Sequence, residues 1–307
     1  MSSAIAPRFF PEGDTELVDY FHEGRIRQER VSPPPFYAIL GRMRLGLIGY
    51  PLDHSLSPAM HNRALREVGL LGEYLLLPTP PEALAGRMAE VRAGFWGVNV
   101  TVPHKEAVLP YLDGLSPEAR AIGAVNTIVR EGEKLIGHNT DAPGFLRGLE
   151  EAGLLFEPAL VLGAGGAGRA VAYALKGRGL DVYVWNRTPG RARALAEEMG
   201  LREAPLEFAR EARLLVNATR VGLMDPEATP LPPDLLPREG GVVDLVYRPL
   251  WTRLLREARA RGLRVQHGLY MLVYQGALAF RLWTGREAPV AAMFQAACEA
   301  LSEPICP

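Results

Sequence analysis

From Met43 onward, apolar runs of strand length alternate with longer segments of helical character, and the alternation repeats along the chain. The first run, Arg44-Leu45-Gly46-Leu47-Ile48-Gly49, reads as a buried strand. The pattern predicts strands at 44–49, 73–78, 95–102 and 124–129, with helices over 58–69, 81–93, 104–111 and 116–122 between them. Glu131-Gly132-Glu133 turns into a hairpin partner at 134–138, and a helix from Ala142 to Gly153 leads out of this unit. Alternating strands and helices imply a largely parallel sheet covered on both faces.

A second unit of the same kind begins at 159. Strands are expected at 159–163, 181–186, 213–217, 241–246 and 263–266, with helices over 166–178, 189–199 and 250–261. Two helices, 269–284 and 287–302, close the chain. Leu269, Leu272, Val273, Gly276, Leu278, Ala279 and Leu282 recur at helical spacing and are too many for the second unit alone, so these helices are expected to return to the first. The fold class is α/β, with two α/β domains. Residues 1–42 read differently: a charged stretch from Asp14 to Arg30, then Pro33-Pro34-Pro35, with weak periodicity. They are expected to be an N-terminal extension, poorly ordered or not native.

A length of 307 residues favours about two domains, and the net charge of −1 argues against nucleic acid or a polybasic membrane contact as the main partner. The two cysteines, Cys298 and Cys306, have no metal or redox spacing, and no apolar run is long enough to span a bilayer. Pro7, Arg8 and Pro11 interrupt the apolar residues that a secretory signal would need. A cytoplasmic location is the simplest expectation. Lysine occurs only at 105, 134 and 176, against 31 arginines. Codon bias explains that preference, yet a retained lysine is also what a proton-donating site requires.

Lys105 ends the stretch Gly97-Val98-Asn99-Val100-Thr101-Val102-Pro103-His104-Lys105. Pro103 forbids a continuing central strand and suits the first turn of a helix, which would set Lys105 at a helix N-terminus. A cation there is disfavoured by roughly 0.3–1 kcal/mol, so stability alone does not select it. Either Lys105 is a surface lysine on a turn or it has chemistry to do. Asp141, in Asn139-Thr140-Asp141, reads as a helix N-cap or as the carboxylate that orients the Lys105 ammonium. Ser57, in His54-Ser55-Leu56-Ser57-Pro58, reads as an N-cap with Pro58 behind it, or as one of two hydroxyls that hold a substrate carboxylate. Asn126-Thr127 adds polar groups at a strand end.

The second unit opens with Leu160-Val161-Leu162 and then Gly163-Ala164-Gly165-Gly166-Ala167-Gly168, a G-x-G-x-x-G between a strand and a helix. In that setting the glycines let backbone approach a pyrophosphate at the helix N-terminus. The next strand ends in Asn186-Arg187-Thr188, with Arg191 one turn on, where an NAD site would carry Asp or Glu. Two guanidinium groups beside the ribose favour a 2′-phosphate, hence NADP over NAD. Asn217-Ala218-Thr219 ends a later strand, where its loop would face the nicotinamide half.

Assembled, these stretches resemble the shikimate dehydrogenase family from about residue 43 to 302. The resemblance also rests on Gly49-Tyr50-Pro51, Gly123-Ala124-Val125-Asn126-Thr127, Asp244-Leu245-Val246-Tyr247, Gly268, Met271-Leu272 and Gln275. It implies reduction of 3-dehydroshikimate to shikimate by NADPH, a reversible step of chorismate and aromatic amino-acid biosynthesis that needs no metal. By matching motif, Lys105 and Asp141 would be catalytic, and Ser55, Ser57, Thr101, Asn126, Tyr247 and Gln275 would hold the substrate. Gly163, Ala164, Gly165, Gly166, Ala167, Gly168, Asn186, Arg187, Thr188, Arg191, Thr219, Gly268 and Met271 would hold the cofactor. The expected domains are a catalytic one of 43–141 plus 268–302 and a Rossmann-like NADP domain of 142–267, hinged near 141–143 and 267–269. Monomer and homodimer both fit. Tyr270 departs from the family, which often has glycine there. A quinate/shikimate dehydrogenase using NAD is the nearer alternative, and a non-catalytic sensing module the more distant one.

Overall fold

In the computed structural model the described residues are 42–302, together with the strand segments at 16–22 and 25–31. Those two segments, β1 (Glu16–His22) and β2 (Arg25–Val31), pair antiparallel; the rest of 1–41 lies outside the described residues. The first unit then runs β3 (Met43–Gly49), α1 (Ser57–Glu67), β4 (Gly72–Pro78), α2 (Leu84–Gly94) and β5 (Gly97–Val100). It continues with β6 (Gly114–Leu115), α3 (Pro117–Ile122), β7 (Thr127–Glu131) and β8 (Lys134–His138). Its sheet has the order β4-β3-β5-β7-β8-β6, with three parallel pairings and two antiparallel ones, β5 with β7 and β7 with β8.

After α4 (Asp141–Glu151) the second unit follows: β9 (Ala159–Leu162), α5 (Gly166–Gly177), β10 (Val182–Trp185), α6 (Pro189–Met199) and β11 (Arg202–Glu203). Then come β12 (Leu214–Asn217), β13 (Gly241–Asp244), α7 (Arg253–Ala260) and β14 (Arg264–His267). All its pairings are parallel, in the order β11-β10-β9-β12-β13-β14. That is the doubly wound order 3-2-1-4-5-6, with its switch point between β9 and β12. β9, β12 and β13 are buried along their whole length, as strands covered by helices on both faces must be.

α8 (Leu269–Thr284) and α9 (Val290–Leu301) cover the first sheet. Leu269, Val273, Phe280, Trp283 and Met293 share one core with Met43 and Leu45 of β3 and with Met60 and Leu65 of α1. α4 crosses α8 very closely, because a Cβ on Gly144 would lie 2.5 Å from the backbone nitrogen of Gln275. The chain thus passes between the units at the starts of these two helices. Cys298 of α9, whose spacing from Cys306 carried no metal or redox pattern in the sequence reading, is disulfide-bonded. No helix among the described residues is long and apolar enough to cross a membrane.

One expected element is absent. Residues 105–108 form turns, and only Leu109–Tyr111 makes a single 3₁₀ turn, so Lys105 is not at a helix N-terminus. Tertiary bonds replace the helix. The buried His104 ring meets the Thr79 carbonyl at 2.6 Å, and the Lys105 carbonyl accepts from the Val125 N–H at 2.8 Å. Pro103 lies in a turn, and the Val102–Pro103 bond is cis. The two-residue edge strands β6 and β11 were not predicted; they are too short to leave a periodic signal.

His61 of α1 is fully buried, stacked on Tyr74 with centroids 4.3 Å apart and 5.4 Å from Trp283. Burial pushes its pKa down from 6.5 to about 3, and His138 and His267 are both lowered to about 4 for the same reason. The folded state therefore binds fewer protons than the unfolded chain below pH 6.5, and stability is lost as pH falls through that window. His61 alone should remove about 1.4 kcal/mol per pH unit below 6.5, down to its folded pKa. Urea unfolding between pH 7 and pH 4 should show a shallower decline for His61→Leu than for the unsubstituted chain; parallel profiles would contradict a buried neutral imidazole.

Candidate active site

The loops at the ends of β3, β5, β12 and β13 and the start of α8 surround one cleft between the two units, with a cavity volume of about 220 Å³. Lys105 and Asp141 meet in it. Nζ of Lys105 lies 2.5 Å from Oδ2 of Asp141, and the side chains are 12% and 5% exposed. Asp141 is the first residue of α4 but does not cap it. That task falls to Asn139, whose Oδ1 accepts from the N–H groups of Asp141 and Ala142 at 3.1 and 3.2 Å. The Asp141 carboxylate is therefore free for the cleft.

Asn126 organises the surrounding polar groups. Its Nδ2 lies 2.9 Å from Oδ1 of Asp141, 2.9 Å from Oγ1 of Thr140 and 3.1 Å from Oε1 of Gln275. Its Oδ1 accepts from the Thr140 N–H at 2.7 Å. Three acceptors compete for two hydrogens. The arrangement joins the start of β7, the start of α4 and the middle of α8 around one amide.

Ser55, Ser57, Thr101, Tyr247 and Gln275 line the same cleft. The N-cap reading of Ser57 does not hold. α1 begins at Ser57 with Leu56 before it and no side-chain cap, while the Ser57 N–H donates to Oγ of Ser55 at 3.3 Å. Ser57 lies beside the phenol of Tyr74 and Ser55 beside that of Tyr247; burial raises the pKa of both phenols, against the opposing effect of the serines. Sequence reasoning left Asn99 out of the site. It lines the cleft, accepts from the Tyr74 hydroxyl at 2.7 Å and donates to Thr127 Oγ1 at 3.0 Å. A polar amide inside the otherwise apolar strand Gly97-Val98-Asn99-Val100 was the available signal.

On the other wall, Gly163 takes φ +112°, and a Cβ on Gly168 would collide with the Gly163 carbonyl. A Cβ on Gly165 would meet nothing within 4 Å, which leaves open the side from which a pyrophosphate could approach. Ala167 lines the cleft, and the Ala164 N–H donates to Oδ1 of Asn186 at 3.1 Å. Arg187, Thr188 and Arg191 are exposed at the end of β10 and the start of α6, and neither arginine has a carboxylate partner among the described residues. These glycines and arginines fit a phosphorylated dinucleotide. No cluster of ligating side chains suited to a metal occurs among the described residues.

Thr219, Gly268 and Met271 also line the cleft. Beneath them, buried Asn217 and Asp244 are joined at 2.9 Å, and Asp244 also accepts from the Val246 N–H and from Thr252 Oγ1. Burial raises the Asp244 pKa to about 6 against these three donors. Tyr270 stands away from the cleft lining, its ring 5.1 Å from that of His267 and 5.6 Å from that of Phe294.

Comparison with known proteins gives the same grouping. Three family models match in chain order: the shikimate dehydrogenase substrate binding domain over residues 47–128, shikimate/quinate 5-dehydrogenase over 152–219, and the shikimate 5′-dehydrogenase C-terminal domain over 268–298. A Thermus thermophilus protein named shikimate dehydrogenase (NADP(+)) is 65% identical over 260 residues, covering 84% of this chain and 99% of the relative. A crystal structure of shikimate 5-dehydrogenase from Thermus thermophilus, in complex with NADP(H) and shikimate, superposes with a TM-score of 0.81 at 64% identity. The match covers 84% of this chain and 100% of that one. Quinate dehydrogenase from Corynebacterium glutamicum, in complex with NAD, is more distant, at 36% identity and a TM-score of 0.76 over 83% of this chain and 98% of that one. With relatives this similar over nearly their whole length, the chain belongs to the shikimate dehydrogenase family.

Proposed function

We propose that this chain is an NADP-dependent oxidoreductase that interconverts 3-dehydroshikimate and shikimate. The observation that carries the reading is the Lys105–Asp141 pair, 2.5 Å apart in a cleft faced by a glycine-rich dinucleotide turn. The similarity to the NADP-dependent relatives supports the choice of substrate and cofactor.

NADPH, when bound, supplies the hydride for the ketone carbon. The chain's own residues do the rest. As negative charge grows on the ketone oxygen, the Lys105 ammonium stabilises it and provides the proton. Asp141 keeps the ammonium oriented, and Asn126 fixes Asp141 through its other oxygen. Ser55, Ser57, Thr101 and Tyr247 offer hydroxyls for the substrate carboxylate and ring hydroxyls. Gln275, which accepts from Asn126 Nδ2 at 3.1 Å and donates to the Leu272 carbonyl at 2.7 Å, adds a side-chain amide to the same wall. The glycines from Gly163 to Gly168 would receive the pyrophosphate, with Arg187 and Arg191 taking the 2′-phosphate. At about 1.5–3 kcal/mol for a hydrogen bond to a charged group, these arginines favour NADP over NAD by tens-fold. They also weigh against the NAD-linked quinate reading.

Incubation with NADP and shikimate should generate reduced nicotinamide absorbance, and quinate with NAD should give little. No absorbance change with shikimate would reject the proposal. Lys105→Ala should lower kcat by roughly 10²-fold or more, with a smaller effect on KM; near-normal turnover would remove the amine from the chemistry. Arg187→Ala should raise the KM for NADP roughly tenfold and leave that for NAD almost unchanged. Equal losses for both would reject the phosphate contact.

A further inference from the structure

The glycine-rich turn holds one glycine more than its dinucleotide role explains. The fingerprint G-x-G-x-x-G is met by Gly163, Gly165 and Gly168, and Gly166 occupies a position open to other residues. Its backbone does not demand glycine either, since Gly166 begins α5 and is not among the residues of positive φ. What the position lacks is room. A Cβ there would lie 2.8 Å from Cβ and 3.0 Å from Cδ of Lys105, across the cleft. Carbon atoms in contact sit at about 3.5–4.0 Å. The near end of Lys105 cannot swing aside, because its carbonyl is bonded to the Val125 N–H and the adjacent His104 ring to Thr79.

Arg169, three residues further on, makes a second contact with the first unit. Its Nε donates to the Ile122 carbonyl at 2.5 Å, and its guanidinium also pairs with Glu198. Ile122 ends α3 and is followed by Gly123 in the left-handed region. The Val125–Lys105 backbone bond ties this segment to the lysine, so both contacts fall on one patch of the first unit.

We propose that the first turn of α5 positions Lys105: Gly166 provides clearance for the lysine stem, and Arg169 clamps the neighbouring Ile122 carbonyl. The turn that faces the pyrophosphate thereby also sets where the amine lies. The proposal rests on the reading of Lys105 as proton donor, and both Gly166 and Arg169 are positioning residues, not catalytic ones.

With only three lysines in the chain, amine acetylation followed by peptide mass spectrometry reports on Lys105 directly, and exposed Lys134 serves as an internal standard. Gly166→Ala is expected to speed acetylation of Lys105 several-fold relative to Lys134. It should also lower kcat roughly tenfold or more, with a smaller change in the KM for NADP. Arg169→Ala introduces no new atoms and should act in the same direction, so a Gly166→Ala chain that failed to fold would leave the test intact. Unchanged acetylation of Lys105 in both variants overturns the proposal, whatever the turnover. Faster acetylation with undiminished kcat would overturn the proton-donor reading, and with it the catalytic consequence claimed for this turn.

Discussion

An ammonium and a carboxylate held together with little access to water constrain everything around them. Taking such charges out of solvent costs several kcal/mol per ion, and their mutual attraction offsets this only when the remaining hydrogen-bonding positions are also filled. Asp141 meets that condition with Lys105 on one oxygen and Asn126 on the other. Asn126 in turn is held by Thr140, and Asn139 relieves Asp141 of capping α4. Three chain segments, after β5, at the start of β7 and at the start of α4, are therefore fixed relative to one another by polar bonds within a few ångströms of the pair.

The second unit contributes a wall whose shape follows from its topology. Where a doubly wound sheet reverses strand order, the loops after the two central strands part and leave a crevice. Here those loops are the glycine turn after β9 and Asn217-Ala218-Thr219 after β12. The buried Asn217–Asp244 bond joins the latter to the loop after β13 that carries Tyr247. The tight crossing of α4 and α8 brings Gln275 within reach of Asn126.

Much of this was legible in the sequence because it follows from short-range rules. Strand and helix alternation, the glycine turn and the closing helix at 269–284 depend on local pattern, and α8 spans those residues. What the sequence misread were positions where tertiary bonds outweigh local propensity. Pro103 suggested a helix start, but the carbonyl of Lys105 and the ring of His104 find partners at Val125 and Thr79, in the segments flanking β7 and β4, and turns form instead. For Ser57 and Asp141 the sequence left a cap reading open beside the chemical one; each is a first helical residue without a cap bond, so only the cap reading falls away. Asn99 went unnoticed because its role depends on Tyr74, 25 positions away and on a different strand.

The central claim is spatial: the ring that is reduced lies against the Lys105–Asp141 pair, between the two sheets. A crystal structure with NADP and shikimate bound tests it most directly. The account predicts a ring hydroxyl within hydrogen-bonding distance of Lys105 Nζ, with the nicotinamide on the far side of the same carbon. A ring bound away from that amine, or a nicotinamide facing a different group, would contradict it.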